Sequence, residues 1–94
     1  MGKLLILAKY IFLIYGSDIR EPRKHIHVTF NQRGHKRSCK FWIEPHIELD
    51  TNKKGDFNER ELLEIEKLIV EHREILISQL NLFYRNQTVK GIRL

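Results

Sequence analysis

The longest amphipathic segment, residues 58–84, most constrains how this chain can fold. It predicts a helix from about Glu59 to Tyr84, roughly 39 Å long at 1.5 Å per residue. At 100° per residue, its apolar positions form a central stripe with a flank on each side, covering well over half of the circumference. The stripe comprises Leu62, Ile65, Ile69, His72, Leu76, Leu80 and Phe83; one flank comprises Leu68, Ile75 and Leu82, and the other Leu63, Val70 and Ile77.

This apolar surface is wider than one sheet can cover. A helix that packs on a single sheet needs an apolar stripe only somewhat wider than about 100°. A second helix, a dimer mate or a dedicated partner must cover the remainder, and the sequence predicts no second helix. We therefore expect an intermolecular interface at the two flanks, formed with a second copy in a homodimer or with a small cognate partner protein.

The segment before the helix reads as a polar turn and a helix cap. Asn58 and Glu61 have the spacing of a capping box, in which each side chain bonds the other residue's amide. Residues 50–61 also imitate a calcium loop, but Lys54 places a cation where that loop requires an oxygen ligand. The cap explains these residues without calcium.

The first half of the chain predicts a small antiparallel sheet of about four strands. Residues 25–30 alternate, so that Ile26, Val28 and Phe30 share one face while the histidines share the other. Other strands are expected near residues 10–15, 39–43 and 47–49. Residues 4–7 are either an earlier strand or part of the strand at 10–15, and the tail 88–94 is a candidate edge strand. With 94 residues the chain is one domain (1–94), made of a strand-rich basic half (1–49) and one long C-terminal helix. The fold class is therefore α+β, with the sheet packed against that helix.

Positive charge is concentrated before the helix. Residues 1–47 carry nine basic and three acidic side chains, and most of the excess lies between Arg20 and Lys40. Such a cluster attracts phosphates and predicts a nucleic-acid surface, RNA being the expected polyanion; a solvated hairpin is the alternative. The residues expected to bind nucleic acid are Arg23, Lys24, Arg33, Lys36, Arg37 and Lys40.

His25 and His27 lie two apart on one strand face, so both imidazoles can meet one ligand. If the chain is an enzyme, we expect these two histidines to be the catalytic acid and base of a metal-independent RNase-like activity. A metal site is the alternative, but two ligands are too few and zinc sites need three or four. Nothing in the spacing selects a third ligand among His35, Cys39, His46 and His72, so the sequence predicts neither a metal site nor a cofactor.

The expected location is the cytoplasm. A single cysteine, Cys39, excludes an intramolecular disulfide framework and fits a reducing interior. The apolar run at residues 4–15 is about twelve residues long, whereas a membrane-spanning helix needs about twenty. We therefore expect no membrane partner.

Several of these segments, taken together, resemble a known family. They are the aromatic and β-branched run at residues 10–15, Glu21-Pro22, the strand His25-Ile26-His27-Val28, the strand at residues 40–43 and the helical Glu71-His72-Arg73-Glu74-Ile75-Leu76. The arrangement is similar to the small bacterial family catalogued as domain of unknown function number four-one-six-zero. By this resemblance, His25 and His27 match the family's histidine pair, Trp42 its strand aromatic and His72 its helical histidine. The chain departs from the family by placing Arg23-Lys24 between the proline and the first histidine.

The resemblance implies a component of a two-gene module of the toxin–antitoxin kind. Members of the family look like small cytoplasmic proteins encoded beside a second small protein. This chain could be the toxin-like component of such a pair. We therefore expect a chain that binds a cognate partner protein and, through its basic hairpin, RNA. The alternative is a non-catalytic homodimeric interaction module.

Overall fold

The computed structural model describes residues 2–7, 9–32 and 34–94 and has an α+β architecture, which confirms the expected class. A six-stranded sheet packs against two consecutive helices. The strands are β1 (Gly2–Leu7), β2 (Tyr10–Ile14), β3 (His25–Gln32), β4 (His35–Trp42), β5 (Glu48–Leu49) and β6 (Ile92–Arg93), and the helices are α1 (Glu59–Glu71) and α2 (Arg73–Tyr84).

The expected count of about four strands is wrong, because the described residues form six. The sheet has the order β5-β4-β3-β2-β1-β6, and neighbouring strands are antiparallel except for β1 and β6, which are parallel. The apolar run divides into β1 and β2 at a turn around Lys9, and the tail returns so that Ile92 lies opposite Leu5 at the sheet edge. The added strands are thus a split of one predicted segment and a short tail pairing.

The expected single long helix is also wrong, because the helix is interrupted at His72. His72 has φ −110° and ψ 22°, outside the helical range, although neither proline nor glycine is present there. A straight helix over these residues would be roughly 39 Å long, whereas the longest extent of the molecule is 34 Å. Inward side chains from both helices, Ile65 and Ile69 of α1 and Leu76 and Leu80 of α2, are buried in one core.

The predicted capping box at the start of α1 is confirmed. The Asn58 side chain accepts a hydrogen bond from the Glu61 amide at 2.9 Å, and the Glu61 carboxylate accepts one from the Asn58 amide at 3.0 Å. Two amides that have no partner within the helix are thereby satisfied.

The two faces of the sheet have different environments. Phe12, Ile26, Val28 and Phe41 are fully buried and share one core with the inward side chains of both helices. The opposite face carries His25, His27, Thr29, Lys40 and Trp42, as the period of two predicts. A short 3-10 helix, Gly16–Arg20, and a second one, Thr51–Lys53, lie over this second face, so several of its polar side chains are buried as well.

Over the described ranges, neither α1 nor α2 has the length and apolar content needed to cross a membrane. The apolar run at residues 4–15 forms strands, and its Leu4, Leu5 and Phe12 side chains are fully buried in the core. Its hydrophobicity therefore stabilises the sheet.

Candidate functional site

The histidine pair forms a cluster with a residue that the sequence analysis did not select, Asp18. The first 3-10 helix carries this aspartate, whose Oδ2 accepts a 2.7 Å hydrogen bond from the Tyr15 amide. The same Oδ2 lies 2.9 Å from His27 Nε2, and Oδ1 lies 3.0 Å from His25 Nε2. One atom from each of the three side chains lies within 4.8 Å of the other two. A single carboxylate therefore connects both imidazoles, and we call this set the Asp18–His25–His27 cluster.

The two histidines differ in access. The His25 side chain is 0% exposed and the His27 side chain is 18% exposed. His27 also lines a cavity of about 290 Å³, together with Ser38, Lys40 and the second 3-10 helix. An acid–base pair needs both groups to reach the substrate, and only His27 has that access, so the arrangement gives little support to a catalytic pair of His25 and His27.

The charge state of the cluster depends on burial and on its partners. Burial raises the pKa of Asp18, but the Tyr15 amide and the two imidazoles outweigh it, so the pKa lies below its usual range. Burial lowers the pKa of His27 below its usual value, although the neighbouring Asp18 carboxylate opposes this shift. The cluster thus favours an ionised aspartate beside a neutral His27.

Aromatic rings hold the imidazoles in place. The His25 ring packs edge-on against Trp42 at 5.6 Å and against His27 at 5.2 Å. The His27 ring packs against Tyr15 at 4.8 Å. Each imidazole is therefore restricted in rotation, as positioned ligand or binding groups need to be.

None of the four candidate third ligands reaches the histidine pair. His35 is within 3.2 Å of Asp56, and His46 is within 3.1 Å of Glu48, both on the surface. Cys39 lies on the helix-packed face, where burial raises the pKa of its thiol to about 12. His72 lies at the break between the helices. Asp18 could have been suspected only as the carboxylate in the tight turn that precedes the His-x-His strand.

Most of the cations expected to bind nucleic acid are paired with carboxylates. The shortest contacts are Arg23–Glu48 at 2.8 Å, Lys24–Glu44 at 3.7 Å, Arg37–Glu61 at 2.6 Å and Lys40–Glu21 at 3.0 Å. Lys36 is exposed and has no carboxylate within salt-bridge distance among the described residues, and Arg33 lies outside them. The acidic partners offset much of the positive potential that the sequence predicts, because opposite charges within about 4 Å cancel at a distance.

The Arg37–Glu61 ion pair makes the stability of the fold depend on pH. Arg37 bonds both Glu61 oxygens, at 2.8 and 2.6 Å, and this lowers the pKa of Glu61 to about 2 from 4.5. Because the folded pKa is depressed, we expect the pair to stabilise the fold above pH 4.5 and to lose that effect as the pH falls towards 2. Urea unfolding of the wild type and Glu61→Gln should therefore differ most at pH 6 and converge near pH 2–3.

The Arg37→Met variant and the double variant are the controls for this pair. Arg37→Met should show the same pH dependence as Glu61→Gln, and the double variant should lose little more than either one. A difference between wild type and Glu61→Gln that stays constant with pH would contradict the assignment.

The structure distinguishes between the two predicted interface flanks of the helix. Leu68 and Ile75 are half-buried against the core, and Leu82 is half-buried too. On the other flank, Leu63 and Val70 remain 66% and 56% exposed, and Ile77 is half-buried. Leu63 and Val70 are seven residues apart on α1, so they lie on one face, which we call the Leu63–Val70 stripe. Ile77 lies beyond the break, on α2, and packs against the core.

Comparison with known proteins identified one family. The family described as "Domain of unknown function (DUF4160)" matches residues 10–80, which is more than half of the chain. That range includes the Asp18–His25–His27 cluster, Trp42 and the exposed Leu63 and Val70. No curated protein and no solved structure matches the chain.

Proposed function

The chain belongs to the family Domain of unknown function (DUF4160), and we propose that it binds a small cognate partner protein as one component of a two-gene, toxin–antitoxin-like module. The exposed Leu63–Val70 stripe carries the proposal. The Asp18–His25–His27 cluster lies on the opposite face of the sheet and has no part in it.

Exposure of the stripe is the main support. Single exposed leucines are common on protein surfaces, but Leu63 and Val70 expose more than half of their surface and share one helix face. Large apolar side chains in that arrangement are typical of helix faces that pack against another protein. Covering them removes apolar area from water, which favours association at about 25 cal/mol per Å² before other costs.

A cavity beside the stripe indicates what the partner presents. It has a volume of about 330 Å³, and Phe41, Leu49, Leu62 and Leu63 form its apolar wall. Glu59 and Glu66 complete its lining. Such a cavity fits an apolar side chain flanked by lysine or arginine, because the two glutamates would pair with those cations.

Nucleic-acid binding is not part of this proposal and stays a prediction. Of the expected contact residues, Arg23, Lys24, Arg37 and Lys40 already pair with carboxylates of the same chain. Any phosphate would have to compete with those ion pairs, which costs binding free energy. The salt dependence of binding to single-stranded RNA would measure how many phosphate contacts the chain makes.

Replacing both exposed residues tests the proposal. The double variant Leu63→Gln, Val70→Gln should weaken binding to the product of the neighbouring gene about 30-fold, which corresponds to about 2 kcal/mol for two apolar interface side chains. Its thermal unfolding should stay close to that of the wild type, because both side chains are exposed. Titration calorimetry with the purified neighbouring protein gives the affinity.

The matched control is Glu64→Gln, Glu71→Gln, which introduces the same residue at two exposed positions of α1. It should retain binding within a few-fold. Equal affinities for all three proteins would show that the stripe is not the interface, and binding by none of them would reject the partner itself.

A further inference from the structure

We propose that Asp18, His25 and His27 bind one divalent transition-metal ion, zinc or an ion of similar ligand preference. The cluster offers two imidazole nitrogens and one carboxylate, which are ligand types that such ions prefer. Its atoms already lie within 4.8 Å of one another. No residue from the helices is needed, so the site is separate from the Leu63–Val70 stripe.

The hydrogen bonding of His25 prepares one ring nitrogen as a ligand. His25 Nδ1 lies 3.1 Å from the Arg23 carbonyl oxygen. A carbonyl can only accept, so Nδ1 donates its proton there, and Nε2 is the ring nitrogen left to bind a ligand. Histidines that bind metals usually donate their other N–H to a carbonyl or carboxylate in this way. The backbone of Arg23 thus orients His25 Nε2 towards Asp18.

The opposing atoms of His25 and Asp18 need a positive charge between them. Nε2 lies 3.0 Å from Asp18 Oδ1 without the geometry of a hydrogen bond, and it has no hydrogen-bond partner among the described residues. The ring is 0% exposed, so water from the surface does not reach it freely. A lone pair facing a carboxylate oxygen in a buried site is unfavourable, and a bound cation resolves this by accepting electrons from both atoms.

An ion pair alone accounts for the cluster less well. The 3.0 Å contact between His25 Nε2 and Asp18 Oδ1 lacks hydrogen-bond geometry, so it leaves Nε2 without a partner among the described residues. His27 already uses the other oxygen of Asp18 at 2.9 Å. One carboxylate would then serve two imidazoles while leaving one nitrogen unsatisfied.

The ligand set indicates both the kind of ion and an open side. Mg²⁺ and Ca²⁺ prefer oxygen ligands, whereas two imidazoles select ions such as Zn²⁺, Co²⁺ or Ni²⁺. Neighbouring ligand atoms around a tetrahedral zinc ion lie about 3.3 Å apart. Here His25 and His27 contact different oxygens of Asp18, at 3.0 and 2.9 Å, and one atom from each side chain lies within 4.8 Å of the other two, so binding would draw the most distant of these atoms closer together. Three protein ligands leave a further position, and the accessible ligand, His27, lines the 290 Å³ cavity.

Metal titration of the isolated chain tests this site. Protein freed of metal by a chelator is titrated with Zn²⁺ by calorimetry, and with Co²⁺ by visible absorption and by the fluorescence of Trp42. Trp42 is the one tryptophan in the sequence, and its ring lies 5.6 Å from that of His25, so bound Co²⁺ should quench it. We expect one ion per chain, and a loss of affinity of about 100-fold or more in His27→Ala and in Asp18→Asn.

The control variant is His35→Ala, His46→Ala, which removes two surface histidines that pair with carboxylates. It should keep the stoichiometry and affinity of the wild type. Asp18→Asn preserves the shape of the side chain, so it decides the test if circular dichroism shows His27→Ala to be unfolded. A wild type that does not saturate with Zn²⁺ would overturn the proposal, as would binding lost in the control but kept in Asp18→Asn. Because no partner protein is present, either failure leaves the proposed function untouched.

Discussion

Replacing Gly55 by alanine is expected to lower the free energy of unfolding by about 3–4 kcal/mol, through backbone strain and steric overlap together. Gly55 has φ +63°, a conformation that residues with a side chain rarely adopt. A Cβ atom added there would lie 2.1 Å from the Ser38 carbonyl oxygen, which belongs to β4. The loop before α1 would have to move away from the sheet. Urea unfolding followed by circular dichroism measures the loss.

Gly34→Ala separates the two causes. Gly34 also has a positive φ, +80°, but a Cβ atom there would have no described heavy atom within 4 Å. This variant should therefore lose only the strain, about 1 kcal/mol. Equal losses of stability at Gly34 and Gly55 would mean that the steric overlap with Ser38 contributes nothing to the effect.

Gln79→Leu has the second largest expected effect, about 3 kcal/mol, because a buried polar side chain holds two segments together. Gln79 Nε2 donates to the Leu4 carbonyl at 3.0 Å and to the Lys90 carbonyl at 2.7 Å. Leucine has a similar volume but no donor, so both acceptors lose their partner, at about 1–3 kcal/mol each when buried. Hydrogen exchange should accelerate in the tail, where the Leu94 amide bonds the Ile6 carbonyl.

Gln87→Leu is the matched control for this prediction. Gln87 is an exposed glutamine just beyond α2, and its replacement should change stability by less than about 0.5 kcal/mol. An unchanged exchange rate in the tail of Gln79→Leu would contradict the role given to the Gln79 amide.

Local sequence patterns predicted where strands and helices lie better than they predicted how many there are. The alternation of Ile26 and Val28 with the histidines set the faces of β3, and Asn58 with Glu61 set the start of α1. The break at His72 was not predictable from local signals, because no proline or glycine marks it. The apolar pattern of residues 62–83 continues through His72, so it predicts one helix.

The candidate site, too, was predictable from the sequence only in part. The sequence predicted that His25 and His27 share a face, because that follows from the period of a strand. It could not predict Asp18, since the path of the 3-10 helix over the sheet brings this carboxylate to the pair. The ion pairs of the basic cluster were not predictable for a related reason: the partners Glu48 and Glu61 are distant in sequence from Arg23 and Arg37.

The sequence predicted an apolar surface on both flanks of the helix, and of these flank residues only Leu63 and Val70 are exposed. Leu68 and Ile75 pack against the core. Leu63 and Val70 remain outside it. The account therefore depends on another protein covering this one stripe.

The most direct test is the molar mass in solution, measured by light scattering for the chain alone and after addition of the neighbouring gene's product. We predict 11.3 kDa for the chain alone, the mass of one copy, and a single heavier species containing both proteins after mixing. A stable dimer of the chain that ignores the added protein would contradict the account, as would a monomer whose mass does not change.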